Sequence, residues 1–330
     1  MKATYFHGAP VRDAEVRVSV IRTALNDRWF PAGRWDWLYG KGSWWSGADA
    51  SWHPGWEEWT CKPNVKHGGI RSRWSPEETV LERTLAIGPD GTVEVEIDTA
   101  DAAARFGDVD STYRIEAKVT DRSRREESAT GNVIASRKPF ELIVWPDRGF
   151  AAPGDEIEVR ISAATLAGKA IVDADGTLKL LKLSVDPEGK VSETDVMTWP
   201  AKTGTGGEFS QRFAAPESGQ YRLVASLSSN GGEAVTSATI LNIHGPGTAA
   251  PEDWKFGALE LITDKSEYAA GETLKLRINS DRPGAHVWLF LHVGGANGME
   301  VKRVQLDGKS LLVDVPLDRR DMPNMFIEAV

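Results

Sequence analysis

FAAPGDEIEVRI at residues 150–161 returns as YAAGETLKLRI at residues 268–278. Each copy opens on an aromatic residue, two alanines and a glycine followed by an acid, then alternates apolar and charged side chains up to Arg-Ile. The glycine supplies the backbone freedom of a turn, and period-2 alternation sends one face of the segment inward, so each copy predicts a turn feeding a half-buried strand. A second pattern sets the period. YRIEA at 113–117 returns as YRLVA at 221–225, 108 residues on, and more loosely as FIEA at 326–329, 105 residues further. That spacing is too long for a solenoid and suits a string of sandwich domains. The expected fold is all-β, with tandem seven-stranded sandwiches of the Ig or fibronectin-III type.

The repeat divides the 330 residues into three units: 1–137, 138–246 and 247–330. In the middle unit, strand patterns fall at 141–144, 156–161, 178–185, 191–199, 207–213, 221–227 and 234–243. GPGTAAPED at 245–253 reads as a linker. Aligning GAPVRDA at 8–14 with GKAIVDA at 168–174 leaves the first copy without the two strands that precede this segment in the second. The chain ends within the FIEA strand, so it is expected to be a piece cut at both ends. From Gly8 to Tyr113 is 105 residues, against 53 from Gly168 to Tyr221, which puts about 52 extra residues in the first copy. Residues 29–76 are the expected insertion, since 29–74 carry nine of the 13 tryptophans among frequent Gly and Pro. After it, residues 80–87 and 92–97 flank a Gly-Pro-Asp-Gly turn and predict a hairpin.

Composition narrows the function classes. With 39 basic and 48 acidic residues the net charge is −9, which offers no overall attraction to nucleic acid or to an anionic membrane surface. No apolar run approaches the roughly 18 residues of a spanning helix, so no direct membrane insertion is expected. Cys61 is the only cysteine, which rules out an internal disulfide framework. Met1 leads directly into a strand-like start at Thr4, so no signal peptide is expected within this piece.

Most motif-like stretches have turn explanations. Gly308-Lys309-Ser310 lacks the glycine a phosphate loop needs five residues earlier, where Arg303 stands. Asp173-Ala174-Asp175-Gly176 opens like a calcium loop but runs straight into strand alternation. Gly204 to Gly207 is followed by neither Lys nor helix. The six histidines lack metal-ligand spacing, and Glu57-Glu58 and Glu77-Glu78 are adjacent rather than facing carboxylates. Cys61 has His53 and His67 near it only in sequence, inside the insertion. Neither catalytic residues, metal ligands nor a cofactor are expected, and the chain is not expected to be an enzyme. The tryptophans have two readings. Trp35, Trp37, Trp44, Trp45, Trp52 and Trp56 could meet a carbohydrate or protein partner, or the loop could fold its indoles against a sandwich as apolar anchors.

Five stretches resemble the bacterial branch of the alpha-2-macroglobulin family: ATYFHGAPVRDAEV (3–16), TYRIEAKVTDRSRREESATGNV (112–133), PDRGFAAPGDEIEVRISAATLAGKAI (146–171), LELITDKSEYAAGETLKLRINSDRPGA (259–285) and DMPNMFIEAV (321–330). The resemblance covers most of the chain outside the insertion. It implies consecutive macroglobulin domains from the N-terminal half of a secreted or periplasmic, envelope-associated proteinase trap. In such a trap a proteinase cuts a bait segment, the domains rearrange, and a thioester captures it. The implied partners are target proteinases and neighbouring macroglobulin domains. Cys61 is followed by Lys62-Pro63-Asn64, so the Cys-x-Glu-Gln thioester motif is missing and this piece is expected to be scaffold. The competing reading is a cell-surface Ig-like binding module that works through its tryptophan loop.

Overall fold

The computed structural model describes residues 1–25, 29–34, 36–42, 52–53, 77–106, 109–246, 250–293 and 298–330. Among these residues regular structure is almost wholly β, in five sheets. The chain forms two compact units, Met1–Arg28 with His67–Pro139, and Trp29–Lys66 with Phe140–Val330.

In chain order the first elements are β1 (Glu15–Ala24), α1 (Asp36–Tyr39), β2 (Glu78–Ala86), α2 (Ala100–Phe106), β3 (Ser111–Thr120) and β4 (Glu126–Ala135). The first unit is an antiparallel sheet of order β2-β1-β3-β4. Alternation along β1 buries Val16, Val18 and Val20. Cross-strand rows Leu85–Val16–Val119 and Leu81–Val20–Ile115 present one apolar face, on which Val93, Val95 and Ile97 pack. The expected turn at residues 88–92 forms, with Gly88 N–H donating to Thr92 O at 2.9 Å. The strand expected at 92–97 does not. In the equivalent place the second unit has a strand, Glu208–Ala214, that pairs with residues 156–162 of another strand. Here the segment pairs at Thr92 with Lys2 and bonds onward to Met1, so its side chains reach the core without a ladder.

The second unit continues with β5 (Glu141–Pro146), β6 (Phe150–Ala151), β7 (Glu156–Ala164), β8 (Asp175–Val185), β9 (Val191–Lys202), β10 (Glu208–Ala214), β11 (Gly219–Ser228) and β12 (Val235–Ile243). They stack as two sheets, β10-β7-β5 and β6-β12-β11-β8-β9. The seven expected strands are all present. β6, read from sequence as part of a turn, adds two residues that pair parallel to β12. Leu142, Val144, Ile157, Val159 and Ile161 from one sheet meet Leu178, Leu180, Leu223, Leu227, Leu241 and Ile243 from the other, and each such side chain contributes about 1.5–3 kcal/mol on burial. Tyr221, fully buried, donates its hydroxyl to Glu217 O at 2.8 Å. This ties the start of β11 to the chain before it, as a tyrosine corner does. Burial and the nearby Glu217 push the phenol up to about 12.

The remaining strands are β13 (Glu260–Thr263), β14 (Thr273–Asn279), β15 (His286–Val293), β16 (Gly298–Gln305), β17 (Ser310–Pro316) and β18 (Phe326–Ala329), in sheets β13-β14-β17 and β16-β15-β18. Their core joins Leu274, Leu276 and Ile278 to Val287, Leu289 and Leu291. One alignment needs correcting here. Tyr221 faces the core, whereas Phe326 is 60% exposed. It is Ile327 that pairs with core residue Leu291, as Leu223 pairs with Leu180. The sequence match of Phe326 to Tyr221 is therefore one residue out, and a slip of one residue exchanges the faces of a strand.

Elsewhere the repeat holds in the backbone. Gly8 (φ 87) and Asp13 (φ 56) match Gly168 (φ 82) and Asp173 (φ 57). Bonds Tyr5 N to Ala9 O (2.8 Å) and Val11 N to Ala3 O (3.1 Å) match Thr165 N to Lys169 O (2.9 Å) and Ile171 N to Ala163 O (3.0 Å). Gly91 N to Gly88 O and Gly207 N to Gly204 O, both 2.9 Å, match in the same way. The offset between copies is thus 160 at Gly8 and Gly168, 116 at Gly91 and Gly207, and 108 at Tyr113 and Tyr221. The extra residues split into 44 in the tryptophan-rich insertion and 8 in the loop that carries α2. In the stretch that decides the fold, Gly154 (φ 88) and Gly271 (φ 94) adopt the left-handed turn. The acid after each glycine closes that turn, Asp155 accepting from Ala152 N and Glu272 from Ala269 N, both at 2.9 Å.

Candidate functional site

Two regions could carry function, the insertion and the joint between the two pairs of sheets in the second unit. Among the described residues of the insertion, Trp29, Phe30 and Trp52 pack on strand faces that point away from the sandwich core. On β5, Leu142 and Val144 enter the core, which leaves Ile143 and Trp145 on the other face. Phe30 and Trp29 cover them, and Ile143 is only 2% exposed as a result. The Phe30 ring lies against Gly42, where a Cβ would come within 2.5 Å of it. Leu183, Ala238 and Ile240 form a second apolar patch on the outer side of the larger sheet, and Trp52 packs there. Beside it His53, 4% exposed, meets Glu193 at 2.8 Å, and Arg222 Nη2 donates to the same carboxylate at 2.7 Å. Burial, then Arg222, lowers the imidazole pKa, against the pull of Glu193. Burial alone would raise Glu193, but its bonds from Arg222 and His53 outweigh that and hold it below the usual carboxylate range.

Of the candidate contact tryptophans, Trp52 is half-buried in this patch and Trp37, on α1, is 76% exposed. Trp35, Trp44, Trp45 and Trp56 lie outside the described residues, as do Cys61, His67 and the Glu57-Glu58 pair. Near α1, Arg34 reaches Glu267 at 3.4 Å across a cleft of about 1150 Å3.

The joint was the feature least visible in the sequence. Gln220, 3% exposed, uses its side-chain amide as a strand uses its backbone. Its Oε1 accepts from Lys255 N at 2.7 Å, and its Nε2 donates to Lys255 O at 2.7 Å and to Asn242 Oδ1 at 3.0 Å. The Trp254 ring meets His244 at a tilt, with centroids 4.8 Å apart, and adjoins Phe256. The turn glycine Gly149 lies so close to β13 that a Cβ would fall 2.4 Å from both Ile262 Cγ2 and Thr263 O. The expected linker is consequently anchored at its described end, with Ala250, Trp254 and Phe256 buried. Gly308-Lys309-Ser310 forms part of that anchor. Lys309 Nζ donates to Trp254 O at 2.9 Å and to Glu252 O, while Ser310 donates to Asn279 Oδ1 at 2.7 Å.

No protein-family model and no curated protein matches the chain. Solved structures resemble it at a distance. The native conformation of Escherichia coli alpha-2-macroglobulin matches with a TM-score of 0.29 and 12% identity, over 99% of this chain and 21% of that one. The trypsin-activated form from the same organism gives 0.29 and 14%, over 100% and 22%. A bacterial ice-binding adhesin gives 0.24 and 10%, over 97% and 85%. The chain spans about a fifth of the length of these macroglobulins.

Proposed function

We propose that this chain is a non-catalytic scaffold of a bacterial macroglobulin-like proteinase inhibitor, exported to the periplasm or beyond. It holds consecutive sandwiches in a set geometry and meets neighbouring macroglobulin domains, while the protein that carries it engages target proteinases. The resemblance of the five sequence stretches to that family supports the reading. The observation that carries the scaffold role is the joint around Gln220, where a buried amide clasp and the close approach at Gly149 leave little freedom between successive sheet pairs. A hinge meant to move freely would expose such contacts.

The test uses the native protein incubated with trypsin. The expected result is loss of trypsin activity on a large protein substrate with activity on a small peptide retained, together with a cleavage-dependent shift in native-gel mobility. Gln220→Ala should weaken both effects. Equal activity on both substrates with no mobility shift overturns the inhibitor assignment.

The exposed indole of Trp37 favours a second reading, a surface module that binds a glycan or protein. Glycan titration with tryptophan fluorescence separates the two, because saturable quenching lost in Trp37→Ala belongs to the module alone.

A further inference from the structure

β4 is an edge of the first unit's sheet, and among the described residues no segment pairs with its outer side. Nine of its ten residues are exposed and the last is half-buried, so neither face of the strand is covered. The phase of its backbone bonds follows from the turn before it, where Asp121 N–H donates to Arg125 O at 3.0 Å. Bonded pairs recur at every second residue of an antiparallel ladder, so the odd-numbered residues of β4 bond to β3. On the other side of β3, Leu25 N–H donates to Asp110 O at 2.8 Å, which assigns its even-numbered residues to β1 and agrees with that phase. Glu126, Ser128, Thr130, Asn132 and Ile134 therefore turn their N–H and C=O groups outward.

Such an edge is a template for another strand, and folded proteins guard it with bulges, proline or charge. The other edges of comparable length are guarded. β2 shifts register against Val20 and Ile21, and β9 shifts against Leu180 and Leu181 and carries Pro200. β16 carries Glu300, Lys302 and Arg303. β4 keeps an unbroken register of ten pairs with β3, has no proline, and bears charge only at its first two residues, Glu126 and Glu127. In the second unit the matching strand, β12, has β6 along one end of its outer edge, so this place in the fold accepts a further strand.

The sequence of the edge indicates what joins it. Antiparallel pairing of EESATGN, residues 126–132, with a second copy about Ala129 sets Ser128 opposite Thr130 and Glu126 opposite Asn132. These are hydrogen-bonding pairs on one face. On the other face Ala129 meets Ala129 and Gly131 meets Glu127, where nothing bulky collides. No like charges fall opposite one another, and Glu126 is already paired with Lys118 at 2.6 Å. The same register carries the stems of Arg124 and Arg125 alongside Ile134 and Val133, which are 40% and 52% exposed.

We propose that β4 docks a second copy of this chain, edge to edge and antiparallel about Ala129, joining two four-stranded sheets into one. The outward residues form four cross-strand pairs and about eight new backbone bonds. The surface is small, so the association is weak and depends on concentration. The proposal is independent of the inhibitor reading.

Sedimentation velocity of the full chain between about 5 µM and about 500 µM should show the mean coefficient rising toward that of a dimer. Ala129→Lys sets two ammonium groups against each other on the twofold axis and should weaken association at least about tenfold. Ala129 is exposed, so this replacement leaves the unit folded. Thr130→Pro is a second variant, since it removes only an outward N–H and its ring obstructs a neighbouring strand. Register is read by cross-linking in a Cys61→Ser background, Cys61 being the only native cysteine. Ala129→Cys should form a disulfide-linked dimer under mild oxidation, because facing residues of a non-hydrogen-bonded pair lie about 4.5 Å apart at Cα. Gly131→Cys, in open space and facing Glu127 of the other copy, should not. A constant sedimentation coefficient, association unaltered by Ala129→Lys, or equal cross-linking at both positions overturns the proposal.

Discussion

His244 governs how the second unit answers acid. Burial, then Arg277, holds its imidazole pKa at about 3 against an ordinary 6.5. Above pH 6.5 the ring is neutral in the folded and unfolded chain alike. Below it the unfolded chain takes up a proton that the folded chain refuses, so stability falls with pH until about pH 3, by up to about 1.4 kcal/mol per pH unit. His53, lowered by burial and Arg222, adds a loss of the same sign. Urea midpoints should therefore drop between about pH 7 and about pH 5, and His244→Phe should flatten the drop. An unchanged slope in that variant would remove His244 from the account. Gly149 makes a second prediction at this scale. Gly149→Val drives side-chain atoms into Ile262 and Thr263 and should cost about 1–3 kcal/mol by chemical denaturation. Tyr221→Phe should cost about 1 kcal/mol by the same measurement, since it leaves the Glu217 carbonyl without its donor.

Among the elements, the insertion stands apart because its apolar side chains cover strand faces that a bare sandwich would leave wet. Trp52→Ala uncovers Leu183, Ala238 and Ile240 and should cost about 2 kcal/mol. Stronger binding of a hydrophobic dye should accompany the loss, and dye binding equal to wild type would contradict it. This packing also explains what sequence could and could not reveal. The strands of the second unit alternate or run apolar between turn residues, so their existence was legible. β12 is buried at nearly every position because Ile240 is covered from outside while Leu241 is covered by the core. The reading that the loop folds its indoles against a sandwich named the covering element, but nothing in the sequence pointed to the strand face it covers. Phe326 shows another limit, since an aromatic at the head of a strand looks alike whichever face it takes, and only pairing with β15 reveals the slip. The joint escaped detection for a different reason. Gln220, Asn242, His244 and Trp254 carry no motif, and their chemistry arises where distant turns converge.

At the scale of the molecule, the second unit should melt as one cooperative body. The clasp at Gln220, the buried Trp254 and Phe256, and the close contact at Gly149 connect its sheet pairs through groups that are costly to expose. Calorimetry on residues 140–330 within the whole chain, monitored by hydrogen exchange, should find β8 and β14 losing protection together. Protection lost from β14 well before β8 would mean the sheet pairs unfold separately. The clasp also has a genetic consequence. Glutamine alone combines, at that reach, one donor and one acceptor matched to the carbonyl and N–H of Lys255, and a single base change turns its codon into that of glutamate. Gln220→Glu would set an anionic oxygen against the Lys255 carbonyl at neutral pH, yet recover a donor on protonation. One nucleotide would thereby convert a permanent fastening into one that tightens only in acid.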